Sequence, residues 1–211
     1  MNRRTALLAL AGAAPLAAES GPSADRIYRF EPQSLTVEDF PASGLILDLG
    51  GGGEGIIGRL KGRQVIAIDL SRRELEEAGG DPLLKIEMDA TELKFLDGAF
   101  PVATSFFTLM YVPDAKQAQV FREAHRILAS GGRFLVWDLD LPTRIDPKRD
   151  VAVCRFRFQL PREEVKTGYG AFFPDRPHDL AHYQSLAETA GFRVARKHDT
   201  GRTFFLELVK G

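Results

Sequence analysis

Thiols, imidazoles and indoles are scarce in this chain: its 211 residues include one cysteine, four histidines and one tryptophan. The single thiol, Cys154, excludes an intramolecular disulfide. So small a supply of sulfur and imidazole also argues against a structural zinc site, and no metal is expected. Neither sign of charge is in excess. The 28 basic and 29 acidic residues are mixed along the chain and leave a formal net charge of −1. Without a basic block or stripe there is no footprint for nucleic acid. Long apolar runs are missing too. The stretch Ala6 to Ala18 is broken by Gly12 and Pro15 and is too short to span a bilayer, so no stable membrane insertion is expected. What is left, 44% apolar and 27% charged, is the composition of an ordinary globular chain with room for one α/β domain.

Met1-Asn2-Arg3-Arg4-Thr5 precedes that N-terminal apolar stretch, and small residues follow it. Basic, apolar, then small is the order of an export signal, and the adjacent Arg3-Arg4 points to the twin-arginine route. An apolar N-terminal helix, a disordered leader or a start placed too early would leave the same pattern. Under each reading residues 1–20 stay outside the fold, and a single domain is expected over 25–211.

The rest of the chain is organised around Leu45-Ile46-Leu47-Asp48-Leu49-Gly50-Gly51-Gly52-Gly53-Glu54-Gly55-Ile56. An apolar run that breaks into glycines and resumes at helical spacing reads as a buried strand, a tight turn and a helix packed back on the sheet. The glycines permit positive φ and let a ligand approach the backbone. The pattern then repeats. Leu45–Leu49, Gln64–Asp69, Leu83–Met88, Phe100–Phe107 and Arg133–Trp137 read as strands. Between them lie a short helix starting at Glu54, a helix capped by Ser71 with Glu74 completing the box, and a long helix opened by Pro113-Asp114 and closed by Gly131-Gly132. Asp25 to Pro41 reads as a lead-in across the mouth of the sheet. Residues 139–177, rich in proline, read as a cap inserted beside the carboxyl ends of the strands. That cap holds an alternating run, Val151–Leu160, in which Cys154 is a packed residue rather than a nucleophile, and an aromatic loop, Gly168 to Phe173. A helix from His178 to Ala190 and two strands joined at Asp199-Thr200-Gly201 close the chain. The expected fold class is α/β: a doubly wound, mostly parallel, seven-stranded sheet with an antiparallel C-terminal strand.

Three acids fall at or near the carboxyl ends of successive strands: Asp48, Asp69 and Asp89. In an open α/β sheet a ligand lies across those ends. Asp69 follows Asp48 by 21 residues, the spacing at which an acid meets a ribose diol. Gly50, Gly52 and Gly55 satisfy Gly-x-Gly-x-x-Gly literally, which would also fit a nicotinamide dinucleotide. Against that reading, Asp48 would sit beside a dianionic pyrophosphate, and the closing hairpin departs from the two-half dinucleotide sheet. No Gly-Lys-Ser/Thr follows, so a phosphate-cradling loop is excluded.

Leu47 to Gly52, Val65 to Leu70, Met88-Asp89-Ala90, Phe100 to Val112, Glu123 to Leu128 with Gly131-Gly132-Arg133, and Ala190-Gly191-Phe192 together resemble the class I S-adenosylmethionine-dependent methyltransferases, which have a Rossmann-like fold. The resemblance covers residues 44–138 and 178–210. It implies S-adenosylmethionine as cofactor, with Asp48, Gly50, Gly51 and Gly52 at its methionine part and Asp69 on the ribose hydroxyls. It further implies Leu70 flanking the adenine, Asp89 on the adenine amine with Ala90 beside it, and Phe106 lining the methionine side. Two positions depart from the family pattern: Glu54 stands where the third glycine usually falls, and Pro101 where an acid often follows the aromatic.

Methyl transfer demands little of side chains, because in-line positioning supplies most of the rate. No catalytic residue is assigned; Tyr111, Asp138, His178, His182 and Tyr183 are candidate bases if the acceptor must lose a proton. Tyr169, Phe172 and Phe173 could wall an acceptor pocket. The expected partner is a small-molecule methyl acceptor, with the oligomeric state open. A NAD(P)-dependent oxidoreductase and a non-catalytic cofactor-binding relative are the alternatives. Because S-adenosylmethionine is made in the cytoplasm, cytoplasmic function is favoured over export.

Overall fold

The computed structural model describes residues 22–211; the export-signal reading of residues 1–20 lies outside them. In chain order the elements are Ile27–Arg29 (β1), Gln33–Thr36 (β2), Ile46–Leu49 (β3), Ile56–Lys61 (α1), Val65–Asp69 (β4), Arg72–Glu77 (α2), Leu84–Glu87 (β5), Phe100–Phe106 (β6), Asp114–Ile127 (α3), Leu128–Leu139 (β7), Val151–Gln159 (β8), Glu164–Phe172 (β9), Leu180–Thr189 (α4), Phe192–Asp199 (β10) and Thr203–Lys210 (β11). They fall into two compact units. One joins Pro41–Asp140 to His178–Gly211; the other joins the residues up to Phe40 to Leu141–Pro177.

In the first unit seven strands form one sheet in the order β10-β11-β7-β6-β3-β4-β5. Every neighbour from β7 to β5 is parallel, and β11 alone runs against the rest, as the expected fold class requires. β3 and β4 are buried at every position, which is the signature of parallel strands covered on both faces. β5, at the edge, is mostly exposed. α3 turns Val120, Phe121, Ala124 and Ile127 inward, and α4 adds Tyr183 and Ala187. The Phe121 ring packs 5.8 Å from Phe134 of β7 and 6.3 Å from Tyr183.

Among the boundaries that differ from those expected, two fall at glycines. α1 starts at Ile56 rather than Glu54, because Gly55 takes a left-handed conformation (φ 59°) at the helix cap. α3 ends at Ile127, ahead of Gly131-Gly132, and β7 begins at Leu128 rather than Arg133. Leu128 already pairs with Phe100, and the register shifts before Arg133 pairs with Val102. The glycine pair therefore bends a strand rather than closing a helix.

The second unit is a sheet around β8. β1 and β2 pair with one edge of β8 in parallel, and β9 pairs with the other edge antiparallel. Two sequence readings change here. Within Asp25–Pro41, expected as a lead-in, lie the strands β1 and β2. The aromatic run Gly168–Phe173, expected as a loop, is mostly the second half of β9, with Tyr169 buried 5.7 Å from the Phe156 ring. The first stretch mixes short strands with polar residues and the second is glycine and aromatic without alternation, so strand period was hard to see in either. Cys154 is fully buried on β8, the packed residue that was expected. Arg26 Nε donates to Asp150 Oδ1 at 2.9 Å, joining the two chain segments of this unit. Among the described residues no helix is long and apolar enough to cross a membrane.

Candidate functional site

From β3 the chain moves to β4 and β5 on one side, then returns to β6 and β7 on the other, so the strand order reverses between β3 and β6. That reversal opens a crevice at the carboxyl ends. Asp48, one residue before the end of β3, stands there. Its register partners are Ala67 of β4 and Thr104 of β6, and the Thr104 hydroxyl donates to Asp48 Oδ1 at 2.7 Å. Both residues are buried. The bond orients the carboxylate and offsets part of its desolvation.

The glycine turn lies directly against the acids. Gly51 N–H donates to Ile68 O and Gly53 N–H to Glu74 O, each at 2.9 Å. A Cβ on Gly51 would fall 2.7 Å from Asp48 Oδ2; one on Gly52 would fall 2.8 Å from Asp69 Oδ2 and 2.6 Å from Glu74 Cβ. Gly50 has φ 74°, and a Cβ there would strike the Thr108 hydroxyl at 2.2 Å. A side chain at any of these three positions would collide with Thr108 or with the residues that hold the two carboxylates. Gly55 has a different task. Its Cβ would lie 2.3 Å from Gly79 O, so this glycine lets the start of α1 pack on the turn after α2. The third glycine of the literal motif is therefore a packing residue.

Asp69 ends β4 and is buried; its Oδ1 accepts from Ser71 N–H at 2.9 Å, while Ser71 Oγ caps α2 by accepting from Glu74 N–H. The cap expected from the sequence thus also aims the acid. Leu70 between them is 62% exposed, an apolar surface with no cover in its own unit. Asp89 lies two residues beyond β5. Its Oδ1 accepts from Thr91 N–H at 2.8 Å and Thr91 Oγ1 at 2.7 Å, and Lys116 Nζ stands 3.7 Å from Oδ2. Burial pushes this carboxyl up, but the Thr91 bonds and Lys116 outweigh it and hold it below the ordinary value. Ala90 is half-buried beside it. Phe106 ends β6 in a ring cluster, 5.0 Å from Phe107 and 5.8 Å from Trp137. The next residue, Phe107, is the one non-glycine with positive φ (52°) among the described residues, a strained turn of about 1–2 kcal/mol that redirects the chain at the end of β6.

Three of the candidate bases, Asp138, His178 and His182, hydrogen-bond within the domain. Asp138 of β7 is fully buried. Its Oδ2 accepts from Leu109 N–H at 2.8 Å and Met110 N–H at 3.4 Å, and its Oδ1 from Leu139 N–H at 2.7 Å. It fastens the short 3-10 turn Leu109–Tyr111 that follows β6. Burial pushes its carboxyl up to about 7 against these backbone bonds. Tyr183 is buried, its hydroxyl has no hydrogen-bond partner among the described residues, and burial followed by the charge of Asp138 raises it well above an ordinary phenol. His178 Nε2 lies 2.9 Å from Asp114 Oδ1, and His182 Nε2 donates to Gln117 Oε1 at 2.6 Å. These pairs tie α4, and the turn before it, to α3. Asp138, His178 and His182 thereby hold elements of the domain in place. Tyr111 ends the 3-10 turn itself.

Thr104, Thr108, Thr91 and the anchoring role of Asp138 were not singled out from the sequence. Thr104 was visible only as one small residue in an apolar strand; the strand register, which sequence does not print, pairs it with Asp48.

This strand order, with a glycine turn after the first strand of the large sheet and acids at or near successive strand ends, is that of the class I methyltransferase fold. The family model described as "Methyltransferase domain" matches residues 47–136. The cofactor of such domains is S-adenosylmethionine. A curated relative, sarcosine/dimethylglycine N-methyltransferase of Halorhodospira halochloris, is 35% identical over 104 residues, 44% of this chain. The match spans 37% of that relative's length. Among solved structures, an S-adenosylmethionine-dependent methyltransferase from Mesorhizobium loti superposes with a TM-score of 0.56 at 17% identity, covering 81% of this chain and 94% of that one. The [4+2]-cyclase SpnF superposes with a TM-score of 0.53 at 14% identity, covering 80% and 75%. At those identities the likeness is one of fold.

Proposed function

We propose that this protein transfers a methyl group from S-adenosylmethionine to a small-molecule acceptor. The observation that carries the reading is the glycine turn packed against Asp48 and Asp69, with Asp89 next along the sheet edge. In this reading Asp48 and Gly50–Gly52 meet the methionine part. Asp69, aimed by Ser71, accepts from both ribose hydroxyls, which are charge-assisted bonds. Leu70 covers one face of the adenine, Asp89 accepts from its amine with Ala90 alongside, and Phe106 closes the methionine side. The buried carboxylates and close-packed glycines are what such a ligand requires: acceptors for its donors, and backbone within reach.

The cofactor supplies an electrophile already activated by its sulfonium; the chain's task is to orient it and exclude water. Thr104 fixes Asp48 and Asp138 fixes the turn after β6, so both hold the site's wall in place. The curated relative is named for sarcosine and dimethylglycine, which makes these amines the first acceptors to try. A second reading, cofactor binding without methyl transfer, draws on the cyclase among the fold neighbours, since fold alone does not set chemistry.

Calorimetry with S-adenosylhomocysteine and with NADH separates methyl-transfer chemistry from hydride chemistry. Tight binding of the first and none of the second is expected; binding of NADH alone overturns the reading. Labelled cofactor with an amine panel and a cell extract then tests transfer, and binding without any transferred label favours the second reading.

A further inference from the structure

Along the second half of β8 the side chains alternate, with Phe156 and Phe158 buried and Arg155 and Arg157 exposed. Strand register sets Ser34 of β2, Arg157 of β8 and Lys166 of β9 in one row, so the three side chains rise from one face of the sheet. Arg155 is opposite Gly168, which contributes no side chain. With Pro32 and Gln33 these residues line a concavity of about 570 Å³ within this unit. A site of that volume is large enough for a small ligand.

The charge in the concavity is unbalanced. Arg157 and Lys166 share one carboxylate, Glu164, at 3.5 and 3.2 Å. The Arg155 guanidinium has no ion pair or hydrogen bond among the described residues. Three cations thus meet one anion. Like charges directly opposite across strands destabilise a sheet, and Arg157 and Lys166 are directly opposite. A bound anion would reverse that cost. Guanidinium forks suit planar carboxylate and tetrahedral phosphate oxygens, and the Ser34 hydroxyl adds a donor in the same row.

We propose that this concavity binds a small ligand carrying a dianionic group, a phosphate monoester or a dicarboxylate. The two excess positive charges set the valence, and Arg155 is the principal contact. The site rests on residues of the β8 sheet alone and is independent of the methyltransferase reading.

The test is titration calorimetry of the full-length chain at low ionic strength with phenyl phosphate and, separately, with succinate. One-to-one binding that weakens as salt rises is expected for at least one of them. Phenyl phosphate alone identifies a phosphate ester, succinate alone a dicarboxylate, and both the shared chemistry. Arg155→Ala should weaken binding tenfold or more, Arg155→Lys less, and Arg155→Gln as much as alanine while keeping the stem's packing. Arg155 is solvent-exposed, so the thermal midpoint should not move in any of the three variants. No binding of either probe, or undiminished binding to Arg155→Ala and Arg155→Gln, overturns the proposal. Loss of S-adenosylhomocysteine binding would leave this outcome untouched, so the two readings fail separately.

Discussion

Asp48 and Thr104 face each other across β3 and β6, and the threonine hydroxyl is bonded to the carboxylate at 2.7 Å where the strand order reverses. Thr104→Val keeps the side chain's shape and removes the donor. A buried acceptor that loses its partner costs about 1–3 kcal/mol. The variant should therefore lose stability of that order in urea and bind S-adenosylhomocysteine more weakly, while Thr104→Ser retains most of both. Unchanged affinity in the valine variant would show that the bond does not orient Asp48 for the ligand.

Asp69 offers a cleaner separation of folding from binding. Asp69→Asn leaves an acceptor for the Ser71 N–H but removes the negative charge proposed to meet the ribose hydroxyls. Hydrogen bonds to a charged group contribute about 1.5–3 kcal/mol, equivalent to about ten- to hundredfold in affinity. Calorimetry should show a loss of that size for S-adenosylhomocysteine with little change in the thermal midpoint. Full affinity would remove Asp69 from the site.

Asp138 gives the fold a pH dependence with a definite sign. Its folded carboxyl is raised to about 7 by burial, whereas in an unfolded chain it ionises near 4, as an ordinary aspartate does. Between those values the unfolded chain has released its proton and the folded one holds it. The contribution to stability is full below about pH 4 and is lost as pH rises through 7. Asp138→Asn has no proton to release, so its stability should vary less over this window. Urea midpoints at pH 5 and pH 8 for both proteins test it; parallel behaviour would sink the assignment.

The order of elements was legible because the large sheet is written in short, wholly apolar runs separated by glycine, proline and capping residues. Ser71 with Glu74 marked α2 correctly, and the three acids stood out because each follows such a run. The β8 sheet was less legible. β1 has three residues and β2 has four, with Tyr28, Ser34 and Thr36 among them, too short for a period to register. Glycine misled once: Gly131-Gly132 read as a helix stop where the chain bends a strand. Gly55, the third glycine of the literal motif, packs against Gly79. Partners such as Thr104 depend on register between distant strands, and no local pattern reports that.

Gly52 and Gly201 make a matched pair for the glycine turn. Gly201 sits in the β10–β11 turn at φ 77° with nothing within 4 Å of an added Cβ. Gly201→Ala should cost about 1–2 kcal/mol, the penalty of a left-handed alanine, and leave ligand binding alone. Gly52 has no positive φ, so backbone conformation is no obstacle there; the obstacle is contact. Its Cβ would lie 2.6 Å from Glu74 Cβ, 2.8 Å from Asp69 Oδ2 and 3.0 Å from the α2 backbone. Overpacking of this kind costs about 1–3 kcal/mol and displaces the Asp69 carboxylate. Gly52→Ala should therefore abolish S-adenosylhomocysteine binding at a stability loss no greater than that of Gly201→Ala by more than about 2 kcal/mol. Equal binding by the two variants, measured by calorimetry at matched folded fraction, would place the ligand away from the glycine turn.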